Sequence, residues 1–213
     1  MGTNERRERE KGLRREAIVD SARTLFFEKG FRDTTIDDIA RSTELARGTI
    51  YLYFENKEEI FAAIMEEGLA ILHRLIRDSY NPSNDALTNL LAGHDAYMAF
   101  HDNFPEYYAT LPMDKAQIMA MLSDEIKNSL DEKYILMVKW IARVLTEGIE
   151  QGFFRPMPVM EVAVMQMGIA MGYAAMMDKC GSSGAFPIDR SRSREVLHDL
   201  IANGVVGRTK AGA

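Results

Sequence analysis

The chain has 213 residues, with 26 Lys and Arg against 32 Asp and Glu and a formal net charge of −6. That balance excludes a protein that coats polyanions indiscriminately, since such binders are strongly basic. The single cysteine, Cys180, excludes an intramolecular disulfide and a thiolate zinc cluster, and the length suffices for one small and one moderate domain. The first residues carry no apolar signal segment, so cytoplasmic residence is the expectation.

At the amino-terminal end, Arg6, Arg7, Arg9, Lys11, Arg14 and Arg15 stand against Glu5, Glu8 and Glu10, a local excess of positive charge. Two readings remain open: a basic arm for phosphates or a minor groove, and a solvated leader. Ala17, Ile18, Ala22, Leu25, Phe26 and Phe27 then form an amphipathic first helix, ending near Gly30 as its carboxy-terminal cap. Ile36, Ile39 and Ala40 recur at i, i+3 and i+4, which predicts a second helix over Thr35 to Ser42, capped by Thr35 and favoured by Asp37 and Asp38 at its positive end. Arg47 to Phe54 forms a third helix, too short to stand alone, with Ile50 and Phe54 turned inward. Asn56 followed by Glu59 is an Asn version of the capping box and opens a long helix at Lys57.

Two short helices, a tight turn and a capped third helix outline a DNA-reading head. The pieces LFFEKGF, TTIDDIA and RGTIYLYFENKEEIF, spread over Ala17 to Ile64, resemble the amino-terminal signature of the TetR family of transcription regulators. The resemblance implies that Arg47, Thr49, Tyr51 and Tyr53 face a double-stranded operator, that Gly48 lets the backbone approach it, and that Thr35 and Lys57 hold phosphates. Thr35 and Lys57 each sit at a helix amino terminus, where free N–H groups and partial positive charge suit a phosphate. Arg47 suits a phosphate or the O6/N7 edge of a guanine, and the sequence leaves both open. One departure stands out. Where the family commonly has Gly-Val-Ser between the two short helices, this chain has Glu44-Leu45-Ala46. A left-handed Glu44 costs roughly 1–2 kcal/mol, and loss of the serine cap about 1 kcal/mol. The third helix is therefore expected to be loosely set before DNA binds.

Beyond Asn56 the apolar spacing is helical throughout, with breaks at Asn81-Pro82-Ser83, Phe104-Pro105, Leu111-Pro112, Pro156-Met157-Pro158 and Gly181 to Pro187. These breaks predict helices over Lys57 to Tyr80, Asp85 to Asn103, Glu106 to Leu111, Asp114 to Leu130, Glu132 to Gln151, Val159 to Lys179 and Arg190 to Asn203. The expected fold is all-α with about nine or ten helices. A three-helix helix-turn-helix DNA-binding domain occupies residues 1–60, and a larger helical ligand-binding and dimerisation domain occupies residues 61–213.

Val159 to Met177 is apolar enough to raise a membrane span. Glu161 and Gln166 interrupt it and no basic cluster flanks it, so it reads as a soluble helix covered on nearly every side, by its own core and by a second subunit. Gly168 and Gly172 lie one turn apart and admit a facing backbone. The resemblance implies that the last two long predicted helices, Glu132 to Gln151 and Val159 to Lys179, form a four-helix interface in a homodimer. Val144, Gly148, Met165, Gly168, Gly172 and Met176 are its candidates. Two heads about a two-fold axis then imply a palindromic operator.

His94, Tyr97, Met98 and His101 share one helix face, and with Tyr108, Met119, Met137 and Trp140 they form the wall of a mostly apolar pocket for a small-molecule effector, lipophilic or aromatic. The same residues also read as the core of a helical domain. No metal site or cofactor is expected, because Glu195-x-x-His198 stands as a single copy and His94 and His101 are seven apart. No catalytic constellation is found. The reading is a ligand-responsive transcriptional regulator, a repressor released by its effector. The alternative is a helical metalloenzyme or lipid-carrying bundle with a vestigial head.

Overall fold

A computed structural model of the chain describes residues 3–111, 116–183 and 188–206. Among the described residues there are ten helices: α1 (Thr3–Lys29), α2 (Ile36–Ser42), α3 (Arg47–Ile50), α4 (Lys57–Ser79), α5 (Ala86–Asn103), α6 (Pro105–Tyr108), α7 (Ala116–Ala120), α8 (Asp124–Glu150), α9 (Val159–Ser183) and α10 (Arg190–Val205). The only extended pairing there is an isolated bridge between Phe154 and Val206. The all-α expectation holds. The chain divides into two compact units, one made of Met1–Leu69 and Glu106–Leu130 and the other of Ala70–Pro105 and Asp131–Ala213.

Several boundaries differ from the sequence reading, each for a local reason. The basic leader belongs to α1, which runs as helix from Thr3. Arg6 and Glu10 form an i, i+4 ion pair on that stretch. α3 covers only Arg47–Ile50, and the chain then tightens, with Leu52 N–H donating to the Thr49 carbonyl and Tyr53 N–H to that of Ile50. The helix expected over Asp114 to Leu130 does not end at Leu130. α8 passes through Asp131 without a break and starts after Ser123, whose hydroxyl accepts from Ile126 N–H and whose carbonyl accepts from Lys127 N–H. Ser123 followed by Asp124 and Glu125 is a start signal of the ordinary kind, overlooked in favour of the prolines. Asp114 and the segment 184–187 lie outside the described residues.

The first unit is built around α1 and α4. Ile18, Val19, Ala22 and Phe26 of α1 are buried, as are Ile39, Ala40, Ile50 and Phe54 of the two short helices and Ile60, Phe61 and Ile64 of α4. Phe31 lies 5.3 Å from Phe26 and 5.0 Å from Phe61 between ring centroids, so the turn after α1 is itself anchored in this core. Arg23 and Tyr107 both donate to the Glu67 carboxylate, at 2.7 and 3.1 Å, which ties α1, α4 and α6 together. In the second unit the core comes from α5 (Leu90, Tyr97, Phe100), α8 (Met137, Val144, Leu145), α9 (Ala163, Met167, Ala174) and α10 (Leu197, Ile201).

The turn between α2 and α3 carries the strain expected of its sequence. Glu44 has φ 56° and is the one non-glycine residue with positive φ among those described. Ala46 stands at the amino-terminal cap of α3 with no side-chain bond to the helix. The double substitution Glu44→Gly with Ala46→Ser is expected to stabilise the free protein by about 2–3 kcal/mol. Calorimetry should show a melting temperature higher by a few degrees; an unchanged or lower value would show that this turn is not strained.

Candidate functional site

On the first unit, α3 and the turn after it present a small outward surface. Arg47, Gly48, Tyr51 and Leu52 are exposed and Thr49 and Tyr53 partly so, while Ile50 and Phe54 point into the core. The Arg47 guanidinium donates to the Asp37 carboxylate and to the Tyr51 hydroxyl, both at 3.3 Å, and lies 5.7 Å from the Tyr51 ring centre. A donor-rich plane is thus held over a phenol at the surface. A Cβ added to Gly48 meets no atom within 4 Å. Nothing inside the chain requires glycine there. Leu52, 77 % exposed, was missed by the sequence reading. Its signal is that it lies between two tyrosines on a surface otherwise polar, where an apolar side chain suits a thymine methyl group.

Thr35 and Lys57 have work within the fold. The Thr35 hydroxyl accepts from Asp38 N–H at 3.2 Å and donates to the Asp38 carboxylate at 2.8 Å. Donation from the Thr35 backbone N–H, with Lys29 and the Thr35 hydroxyl adding to it, holds the Asp38 carboxyl far below the usual carboxylate range. Lys57 donates to the carbonyls of Phe31 and Thr34 at 2.7 and 2.8 Å and lies 4.2 Å from the Phe31 ring centre. Burial lowers its pKa. At the start of α4, Asn56 caps Glu59 N–H as the sequence implied, but Glu59 returns its carboxylate to Glu55 N–H, one residue earlier than in the usual box.

The second unit divides the pocket candidates between two hollows. His94, Tyr97, Met137 and Trp140 line a small one of about 20 Å³, together with Leu90, Gly93, Gln166 and Met167. His94 is 5 % exposed. Its Nε2 lies 3.0 Å from the Gln166 Oε1, an acceptor, so Nε2 carries a proton, and burial favours the neutral ring. Its Nδ1 and the Trp140 Nε1 are buried without a hydrogen-bond partner among the protein's own atoms. An unmatched buried polar group costs about 1–3 kcal/mol. Met98 and His101 line a different, open cavity of about 490 Å³ with Tyr173, Arg190, Arg194, Glu195 and His198. There His101 bonds Asp102 at 2.9 Å and Asp178 at 2.8 Å, and His198 bonds Asp95 at 3.1 Å. The sequence reading treated Glu195 and His198 only as a single-copy Glu-x-x-His. Three helices far apart in sequence bring them to His101, and no spacing rule signals that. Tyr108 and Met119 belong to the other unit and line neither hollow.

The expected dimer face needs correction at two positions. Val144 is fully buried within the chain, and Gly148 lies so close to Phe154 that an added Cβ would stand 2.1 Å from the ring. Both are core. The outward face is instead that of α9 with α10. Met165, 67 % exposed, is joined by Val164, Ile169 and Met176 on α9 and by Val196 and Leu200 on α10. Gly168 and Gly172 are open, with nothing within 4 Å of an added Cβ. Val159–Cys180 is long and apolar enough to cross a membrane, but its polar Gln166 is matched to His94 inside the unit.

Burial is the main reason that the His94 pKa falls from 6.5 to about 4. Between those values an unfolded chain takes up a proton that the folded chain refuses. Stability present above pH 6.5 is therefore lost as pH falls toward 4, by about 3 kcal/mol. In His94→Gln this contribution is removed, so the melting temperature is expected to fall less between pH 7 and pH 4 than in the unaltered protein. Equal slopes would overturn the neutral, buried assignment.

Residues 18–64, which contain the whole outward surface of α3, match the sequence profile of the bacterial regulatory proteins of the tetR family. YfiR of Bacillus subtilis, an uncharacterized HTH-type transcriptional regulator, is 31% identical over 155 residues, covering 68% of this chain and 70% of its own. The HTH-type transcriptional repressor KstR2 of Mycobacterium tuberculosis is 27% identical over 143 residues, covering 67% and 70%. Among solved structures, AibR in complex with isovaleryl coenzyme A and operator DNA has the same fold, with a TM-score of 0.64 and 16% identity over 91% of this chain and 98% of its own. The head, its outward arginine and tyrosines, and a relative matched well beyond the head lead to one conclusion: the chain belongs to the TetR family of transcriptional regulators.

Proposed function

We propose that the protein is a homodimeric repressor, not an enzyme, that binds a palindromic operator through residues 1–60 and leaves it when a small, largely apolar effector enters the helical body of residues 61–213. The observation that carries this reading is the surface of α3, where Arg47 is held against Tyr51 and Gly48 is bare although no neighbour in the chain demands it. A backbone that comes close to DNA does demand it. Arg47, Thr49, Tyr51 and Tyr53 make the contacts with bases and phosphates, with Leu52 beside them. Thr35 and Lys57 serve phosphate binding chiefly by fixing the two helix starts, since their polar atoms are engaged within the head.

A second copy covers α9 and α10. Val164, Met165, Ile169, Met176, Val196 and Leu200 are exposed apolar side chains on these two helices, of the kind a partner covers, and the open Gly168 and Gly172 admit the partner's helix. The groove of about 520 Å³ along Tyr173, Ile188, Val196 and Leu200 continues that face. Support for an effector comes from AibR, which has this fold and holds a ligand together with operator DNA; support for repression comes from KstR2. Such a protein works in the compartment that holds the DNA. By linkage, an effector that lowers operator affinity binds the DNA-bound form less well by the same factor.

Gly48→Ala separates DNA contact from folding. The variant is expected to keep or raise the melting temperature, because alanine favours helix and its Cβ meets nothing, while gel-shift retention of the DNA beside its own gene falls about tenfold or more. Retention equal to that of the unaltered protein would remove the α3 surface from the site. Gly168→Trp is expected to sediment as a monomer and to lose operator retention with it, whereas a dimeric variant would place the interface elsewhere.

A further inference from the structure

The small hollow in the second unit is lined by two residues, His94 and Trp140, that each carry one buried polar atom without a partner in the protein, and their chemistry limits what can enter. The Gln166 Oε1 accepts from His94 Nε2–H, which leaves His94 Nδ1 as an acceptor without a protein partner. Trp140 Nε1–H is a donor without a partner. Both residues line the same hollow, whose other walls are mainly apolar, among them Leu90, Met137 and Met167, with Tyr97 and the Gln166 amide as the remaining polar side chains. No Lys or Arg lines it, so a carboxylate or phosphate would meet a lone pair and no counter-charge.

We infer that the effector is an uncharged, mainly apolar molecule carrying a hydroxyl group, which donates to His94 Nδ1 and accepts from Trp140 Nε1–H. This rests on the effector-released regulator proposed above and names the chemical class that the body recognises. The hollow of about 20 Å³ has room for little more than the hydroxyl itself. The apolar part of the ligand therefore enters by displacing a wall, and Trp140 is that wall. Its side chain is only partly covered, and it rests on Gly93, where an added Cβ would stand 2.4 Å from the ring. Met137 and Met167 beside it adapt to a changed outline.

Trp140 is the only tryptophan in the chain, so its fluorescence reports the event directly. The probes are cyclohexanol, methylcyclohexane and cyclohexanecarboxylate, titrated into the full-length protein with emission and calorimetry as readouts. Cyclohexanol is expected to shift the emission and to bind at least about tenfold more tightly than the carboxylate. In His94→Leu the affinity ratio of cyclohexanol to methylcyclohexane is expected to fall about tenfold, the worth of one buried hydrogen bond. Tighter binding of the carboxylate, an unchanged ratio in the variant, or no response to any probe, as for a hollow that holds only water, would each overturn the assignment. Operator retention is measured on the same preparation. If DNA is retained and the probes fail, the hydroxyl assignment falls alone; if DNA is not retained, the regulatory reading falls whatever the probes do.

Discussion

The head depends on one ammonium group. Lys57 is the first residue of α4, and its side chain reaches back to the carbonyls of Phe31 and Thr34 while lying against the Phe31 ring. Those carbonyls belong to the chain between α1 and α2, which has no helix to satisfy them. The ammonium matches them, and the partial burial that lowers its pKa is offset by short bonds to oxygen. Phe31 is thereby held against Phe26 and Phe61, and Thr34, itself buried, donates to the Gly30 carbonyl. Thr35 follows at once as the cap of α2. A lysine that the sequence alone presents as a phosphate contact thus sets the direction in which α2, and hence α3, leaves the core.

What Lys57 sets firmly at one end, Glu44 and Ala46 leave weak at the other. α3 is four residues long, lacks a side-chain cap and follows a left-handed glutamate. Its hold on the core is Ile50, with Phe54 just beyond it. Two buried side chains suffice to seat so short an element but leave it with little stability of its own. The arrangement of Arg47 with Asp37 and Tyr51 then has a second meaning. These bonds occupy the guanidinium, and under the proposed DNA contact each would have to yield or rearrange for a phosphate or a guanine edge. Operator binding is expected to include ordering of this turn, which subtracts from affinity and makes it responsive to small shifts at the base of the head.

The head was legible in the sequence because its constraints are local. Capping boxes, the cap at Gly30 and the inward pair Ile50 and Phe54 act within a few residues, and so did the anomaly at Glu44. The body was legible as helix count and poorly as surface. Proline breaks mark most ends, but the start of α8 is made by Ser123, a cap with no proline beside it. Val144 and Gly148 carry the same apolar and small side chains as a subunit interface. Only the return of the chain after Gly152, which lays Phe154 on Gly148, makes them interior. The charged cavity of His101, Asp102, Arg194 and His198, with Tyr173 in its wall, draws on α5, α9 and α10, and side chains from separate helices have no common period to detect.

Glycine offers a way to tell demands made inside the chain from demands made outside it. Gly93 and Gly148 are required by their own subunit, since an indole and a phenyl ring occupy the space a side chain would need. Gly48, Gly168 and Gly172 stand in helices with open space around them. A helix interior loses about 1 kcal/mol for each glycine in place of alanine, and nothing within the subunit compensates. On α9 the two open glycines share a face with exposed methionines, isoleucine and valine, which is the composition of a surface that another apolar surface covers. On α3 the open glycine shares its face with an arginine and a tyrosine, which is the composition of a surface that meets phosphates and base edges. The same residue type, placed where the fold does not need it, thus marks two surfaces of different chemistry, one suited to a second copy of the chain and one to a nucleic acid.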